Sequence, residues 1–229
     1  MKIGIIGAMQ EEITPLLKRI GKYTEIKYAK NSYFQAEFHG IELVIAYSKI
    51  GKVFSTLTAS IMIEKFGVEK ILFSGVAGGI NPNLQIGDLI YATKLTQHDL
   101  DITAFGHPFG YVPEGAVFIE TSSALNKIAD KVAEENGIAL GKGVIATGDQ
   151  FVANPERKNW IEKAFKADAL EMEGASVAVV CDSLEIPFFI LRAISDSAND
   201  TADMDFDAFL EDSAKVSADF IINMLKKLN

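Results

Sequence analysis

Residues 167–200 read ADALEMEGASVAVVCDSLEIPFFILRAISDSAND, and the fold follows from how this stretch alternates. Phe188 to Leu191 is a short apolar run after Pro187, the pattern of a buried strand. The run leads into Arg192, Ser195 and Asp196, so a buried strand delivers polar groups to one edge of a sheet. Upstream, Glu171-Met172-Glu173-Gly174 precedes the apolar run Ala175 to Cys181, which reads as a helix. In open α/β sheets the edge beyond the strand carboxyl ends is where ligands bind. Each acid also has a purely structural explanation, Glu173 as a helix cap and Asp196 as the start of a turn.

Lys2 to Met9 is a first buried strand ending in small residues, and it lacks the G-x-G-x-x-G fingerprint of a dinucleotide site. Gln10-Glu11-Glu12 marks the turn into a helix over Ile13 to Ile20, with Pro15 in its first turn. Acids at that position complement the helix dipole even without another role. Tyr33 to Phe38 and Ile41 to Tyr47 predict a hairpin around His39-Gly40. Ser48 to Lys52 reads as a loop, and Val53 to Phe66 as a helix closed by Gly67. Lys70 to Ser74 is a strand running into Gly75-Val76-Ala77-Gly78-Gly79, a loop so poor in side chains that a ligand can approach its backbone. A strand over Asp88 to Thr93 leads to an irregular stretch from Gln97 to Gly115. Its aromatic residues need a ligand or a second subunit to cover them. Then follow a Ser-capped helix over Ser122 to Glu135, a strand over Gly143 to Thr147, and a helix from Pro155 to about Phe165 capped by Asn154. A loop over Ala202 to Phe206 and a helix over Asp207 to Leu228 close the chain. With no repeat or linker, the expectation is one domain spanning 1–229, an α/β fold with a central mixed twisted β-sheet flanked by helices.

The chain has 229 residues, 48% hydrophobic and 23% charged, enough for a sizeable core. A net charge of −9 argues against nucleic acid and against an anionic membrane surface. No apolar stretch approaches the roughly 20 residues of a membrane span, and the N-terminus does not read as a signal peptide. The expected location is cytoplasmic. The single cysteine, Cys181, excludes an internal disulfide and reads as a small core hydrophobe. His39, His98 and His107 have no ligand spacing, and His98 beside Asp99 and Asp101 reads as a surface loop. Neither a metal nor a cofactor is expected.

Glu12, Glu173 and Asp196 fall at separate strand ends. Carboxylates around one cleft suit a reaction that develops positive charge. Glycosidic cleavage passes through an oxocarbenium-like state, with one carboxyl as acid and another activating water. An acid that donates at neutral pH needs a raised pKa, which burial at the end of an apolar strand supplies.

At these positions the sequence resembles the 5′-methylthioadenosine/S-adenosylhomocysteine nucleosidases of the nucleoside phosphorylase superfamily. The resemblance is carried by Gly4 to Met9 with Glu11-Glu12, Ser74 to Gly79, Gly148 to Val152, Glu171 to Ala175 and Arg192 to Asp196, in family order over nearly the whole chain. It implies an adenine nucleoside as substrate, a homodimer, and no cofactor. It implies Glu12 as the base that activates water and Asp196 as the acid that protonates the leaving adenine, positioned by Ser195. Glu173 would bind the ribose hydroxyls, with Met9 and Met172 against the sugar. Phe151 would stack on adenine and the Val152 backbone would read its edge, beside the Ala77-Gly78 backbone. Arg192 would hold the water and Glu12, and Phe206 would cover the 5′ substituent. Ile102, Phe105 and Pro113 would close the 5′ pocket of the neighbouring subunit. Many members carry Ser where this chain has Val76, so here the water would rely on Glu12 and Arg192. Some members also cleave 6-amino-6-deoxyfutalosine, which differs only beyond the shared adenine and ribose. Two alternatives are a phosphorolytic enzyme on the same fold and a non-catalytic adenosine-binding protein. Phosphate would need cations or helix N-termini near the nucleophile, where Glu11 and Glu12 stand. A binding protein should lack the acid or the base.

Overall fold

The computed structural model describes residues 1–198 and 202–228, so Asn199 and Asp200 of the opening stretch lie outside the described residues. In chain order the elements are β1 (Lys2–Gly7), α1 (Gln10–Ile20), β2 (Tyr23–Tyr28), β3 (Asn31–Phe38), β4 (Ile41–Tyr47), α2 (Lys52–Glu64), β5 (Lys70–Gly79) and β6 (Leu89–Gln97). There follow β7 (Ile119–Glu120), α3 (Ser123–Asn136), β8 (Leu140–Thr147), α4 (Pro155–Phe165), β9 (Ala169–Glu171), α5 (Gly174–Ser183), β10 (Phe188–Asp196) and α6 (Ala202–Leu225).

The strands form one mixed sheet in the order β10-β6-β8-β9-β5-β1-β4-β3-β2. β10 also pairs in parallel with the long β5, so β5, β9, β8, β6 and β10 close on themselves while β1 to β4 extend as an open wing. The hairpin between β3 and β4 turns on His39 and Gly40, both at positive φ (50° and 76°). Such two-residue turns match the right-handed twist of the strands they join. Helices cover both faces. Ile3 and Ile5 of β1 pack with Leu16 of α1, Val132 of α3 and Phe220 of α6. Ile6, one residue on, belongs to the opposite core with Met62 of α2 and Val177 of α5. The alternation follows from the period of two along a strand. Among the described residues no helix is long and apolar enough to cross a membrane.

The single α/β domain with a mixed sheet is as expected from the sequence, and Asn154 and Ser122 cap α4 and α3 through their side chains. As the sequence implies, β10 is a buried strand that ends in Arg192, Ser195 and Asp196. Several boundaries differ. Gly75 to Gly79 is the second half of β5, not a loop. Ala202 to Phe206 is the first turn of α6, and Lys52 belongs to α2. α1 begins at Gln10, which places Pro15 past its first turn. His98 is buried at the end of β6, where its main-chain N–H continues the pairing to Thr147 O, and is not on the surface. β2 and β7 have no counterpart in the sequence reading, and β9 is there only as the strand end at Glu173.

Candidate active site

A cleft of about 300 Å³ opens where the ends of β1, β5, β9 and β10 meet. Its floor is Ala8, Glu12 and Val76 to Gly78; its walls are Leu170 to Glu173 on one side and Ser195-Asp196 on the other. Ile50, Gln150 to Val152 and Phe206 close its rim, with the Phe151 and Phe206 rings edge-to-face at 5.6 Å.

Glu12 enters from the first turn of α1 and is 2% exposed. Its Oε2 accepts the Ala8 and Met9 N–H groups, and its Oε1 accepts the Val76 N–H at 3.0 Å. A carboxylate offers about four acceptor positions, so one is left for a ligand. Burial raises the Glu12 pKa above its usual value, while the Arg192 charge and the backbone donors pull in the opposite direction. The glycines of β5 make room for these acids. A Cβ on Gly75 would stand 2.8 Å from Glu12 Oε1, and one on Gly78 would stand 2.8 Å from Asp196 Oδ1.

Asp196 accepts the Ala198 N–H on Oδ1 (2.8 Å) and the Ser195 hydroxyl on Oδ2 (3.0 Å). Burial again raises its pKa, against those two hydrogen bonds; the Asp205 charge adds to the rise and Lys158 opposes it. Glu173 occupies the N-cap position of α5, but its side chain does not cap that helix. Its Oε1 instead accepts the Gly51 N–H at 2.8 Å, across the cleft wall. Burial, then the neighbouring Glu171, hold the Glu173 pKa well above the ordinary carboxylate range.

Glu171 is the residue the sequence reading passed over. It lies on the cleft wall and accepts the Gly174 N–H (2.7 Å) at the start of α5, the Thr147 hydroxyl and the Arg192 guanidinium. Arg192 is 1% exposed and does not line the cleft. It forms a 2.5 Å ion pair with Glu171, donates to Leu191 O, and stacks over Phe73. Among the described residues it is the one buried Lys or Arg, against four buried acids, Glu12, Glu171, Glu173 and Asp196. Acids therefore outnumber cations at and beside the cleft, and the one buried cation, which does not line it, is already paired with Glu171. Among the described residues no group of His, Cys, Asp and Glu is arranged to hold a metal.

The family model described as the phosphorylase superfamily matches residues 2–226. The chain belongs to the phosphorylase superfamily. Within it, the chain is 59% identical over 228 residues, covering 100% of both sequences, to an aminodeoxyfutalosine nucleosidase of Campylobacter jejuni. It is 35% identical over 232 residues, again covering 100% of each, to a 5′-methylthioadenosine/S-adenosylhomocysteine nucleosidase of Bacillus velezensis. A crystal structure of the Helicobacter pylori 5′-methylthioadenosine/S-adenosylhomocysteine nucleosidase superposes with a TM-score of 0.98 at 54% identity, covering 99% of this chain and 98% of that one. That structure holds an aminopyrrolopyrimidine joined to a hydroxypyrrolidine with a thioether arm.

In this superfamily member, the fold brings Met9, Glu12, Ala77, Gly78, Phe151, Val152, Met172, Glu173, Ser195, Asp196 and Phe206 to one cleft. Ile102, Phe105 and Pro113 lie outside it; Phe105 sits in a short 3-10 turn and is 81% exposed. Of the other aromatics in that stretch, Phe109 packs on Trp160, and Tyr111 stacks on His107. Ile50, Gln150 and Leu170 line the cleft without having been singled out from the sequence. They are ordinary residue types that only the tertiary fold places there.

Proposed function

We propose that the protein hydrolyses the N-glycosidic bond of 5′-substituted adenine nucleosides, releasing adenine and the free sugar. The observation that carries this reading is the make-up of the cleft: four buried acids line it, and the one buried cation, beside it, is paired to Glu171. Such a site favours a cationic ribosyl group and disfavours phosphate as nucleophile. Glu12, with one acceptor position open, takes a proton from water as the water oxygen bonds to the anomeric carbon. Asp196, whose pKa burial raises, gives its proton to the unsubstituted five-ring nitrogen of adenine as the glycosidic bond breaks. Glu173 carries the ribose hydroxyls and faces the developing charge. Val76 offers no hydroxyl to the water, but its N–H still orients Glu12. The ligand of the Helicobacter structure fits the same reading, since a pyrrolidine carries positive charge where the ribosyl cation would form.

The proposed substrate range is 5′-methylthioadenosine, S-adenosylhomocysteine, 5′-deoxyadenosine and 6-amino-6-deoxyfutalosine, which share adenine and ribose and differ only at the 5′ end. Incubating each with the protein, with and without phosphate, tests the reaction. Free sugar without phosphate is expected; a sugar 1-phosphate that forms only with phosphate refutes hydrolysis.

The assembly proposed is a homodimer. Val53, Phe54 and Leu57 are 76%, 45% and 45% exposed on α2, next to Ile50 at the cleft rim, and Phe105 stands exposed as well. An apolar face of this kind marks an interaction surface, and a second copy would bring Ile102, Phe105 and Pro113 over the 5′ end. Sedimentation should give a dimer, and Leu57→Glu should give a monomer with weakened substrate binding. A fully active wild-type monomer rules the dimer out.

A further inference from the structure

Outside the cleft, three residues form a closed ring of main-chain and side-chain hydrogen bonds. Asp149 Oδ1 accepts the Lys52 main-chain N–H at 2.8 Å. The Asp149 N–H donates to Asp99 Oδ2 at 2.8 Å. Asp99 Oδ1 accepts the Lys52 ammonium at 2.7 Å, with both side chains less than a fifth exposed. None of the three lines the cleft. The ring nevertheless touches two parts of it. Gly51, directly before Lys52, donates its N–H to Glu173, and Asp149 leads into the Gln150 to Val152 rim.

The ring is tied to buried structure through Asp99. Asp99 follows His98, which is buried, pairs with Thr147 O and meets the Arg157 guanidinium at its carbonyl and ring nitrogen (both 3.1 Å). Gly51 sits at φ +99°, and a Cβ there would stand 3.0 Å from Asp149 Oδ1, so only glycine lets the turn close on the ring without strain. Burial raises the Asp99 pKa, but the Lys52 and Asp149 donors outweigh it and hold the group below its usual value. The ring thus closes on the Asp99 carboxylate, which the two donors favour.

We propose that Lys52, Asp99 and Asp149 form a positioning clamp that fixes Glu173 through the Gly51 N–H and fixes the base-binding rim through Asp149. The proposal rests on the reading of Glu173 as the group that holds ribose. A salt bridge that merely stabilised the fold would change melting temperature and leave kinetics alone. The clamp instead acts on kcat through Glu173 and on KM through the rim.

The test is a cycle of Lys52→Met and Glu173→Gln, with kcat, KM and Tm measured on 5′-methylthioadenosine. Misplacing a catalytic group by about 1 Å costs on the order of a hundredfold. Lys52→Met should lower kcat about ten- to a hundredfold and raise KM, and Lys52→Arg should recover most of both. In the Glu173→Gln background the kcat loss should vanish while the KM rise persists. If Lys52→Met does not fold, Asp99→Asn replaces it in the same cycle. Unchanged kcat in the clamp variant beside an impaired Glu173→Gln overturns the clamp, as does an equal kcat loss in both backgrounds. Wild-type turnover in Glu173→Gln alone removes the reading of Glu173, and the clamp with it.

Discussion

Asp196 is a carboxyl group with two donors, the Ala198 N–H and the Ser195 hydroxyl, in a position from which water is largely excluded. Asn is nearly isosteric and its Oδ1 can still accept from Ala198, so Asp196→Asn should fold and bind nucleoside analogues as before. It has no carboxylic proton to deliver, and general acid catalysis is worth about a hundred- to ten-thousand-fold. Turnover should fall by that order with Tm and analogue affinity close to wild type. If Asp196 served only to order the chain after β10, affinity and Tm would fall together with rate. Near-normal turnover in a stable Asp196→Asn protein would remove it from the mechanism. Glu12, Glu173 and Asp196 were legible in the sequence only together, as acids at separate strand ends within motifs that resemble one family; singly, each has a structural explanation. Glu171 was not, because two glutamates two positions apart look alike until the fold shows which one meets Arg192.

β5 and β8 show how side-chain demands decide an element that local propensity leaves open. The glycines from Gly75 to Gly79 read as a loop, yet they are strand residues whose missing side chains admit Glu12 and Asp196. Strand propensity is mostly a statement about neighbours, and here the neighbours are acids from other elements. β2 escaped notice for the opposite reason: five of its six residues are exposed, so alternation carried no signal. By contrast, α4 was legible to the residue, since the Asn154 cap and Pro155 are local chemistry. Gly143 in β8 extends the β5 lesson. Asp168 Oδ2 accepts the Val144 N–H at 2.9 Å, Oδ1 accepts from Asn81, and the Asp168 carbonyl takes the Ile80 and Asn81 N–H groups. Asp168 thus ties β8 to the exit of β5, and a Cβ on Gly143 would fall 2.0 Å from its Oδ2. Gly143→Ala should therefore cost roughly 1–3 kcal/mol, the usual range for overpacking. At this chain length that corresponds to about 2–4 °C of Tm for each kcal/mol. Because one contact is at issue, Gly143→Ala with Asp168→Ala should lose less than the sum of the two single changes. Strict additivity in thermal melts would show that Asp168 is not what Gly143 accommodates.

At the scale of the whole molecule, the three cleft acids contribute to stability with a pH dependence opposite to that of salt-bridged carboxylates. Salt-bridged carboxylates have lowered pKa values and stabilise the fold as pH rises. Glu12, Glu173 and Asp196 are raised instead, each chiefly by burial. For a raised acid the folded state binds the proton more tightly than the unfolded chain does. Its contribution is therefore fully present below the ordinary carboxylate value, which is 4.5 for glutamate, and is lost as pH climbs toward the folded value. Asp99 works the other way, adding stability above its ordinary value and losing it as pH falls. Glu173→Gln isolates one raised group, because the amide Oε1 can keep the Gly51 N–H bond while the buried charge beside Glu171 disappears. The variant should melt above wild type at pH 8, and the gap should shrink steadily on going to pH 5, where Glu173 is already protonated. The gain in stability should accompany a loss of turnover, the trade-off expected when a site holds charge the fold would not otherwise bury. A Tm series across that range, on wild type and variant at equal protein concentration, decides the matter. A variant that melts below wild type at pH 8 would show that the Glu173 carboxylate stabilises the folded protein, through Gly51 and Arg192, by more than its burial costs.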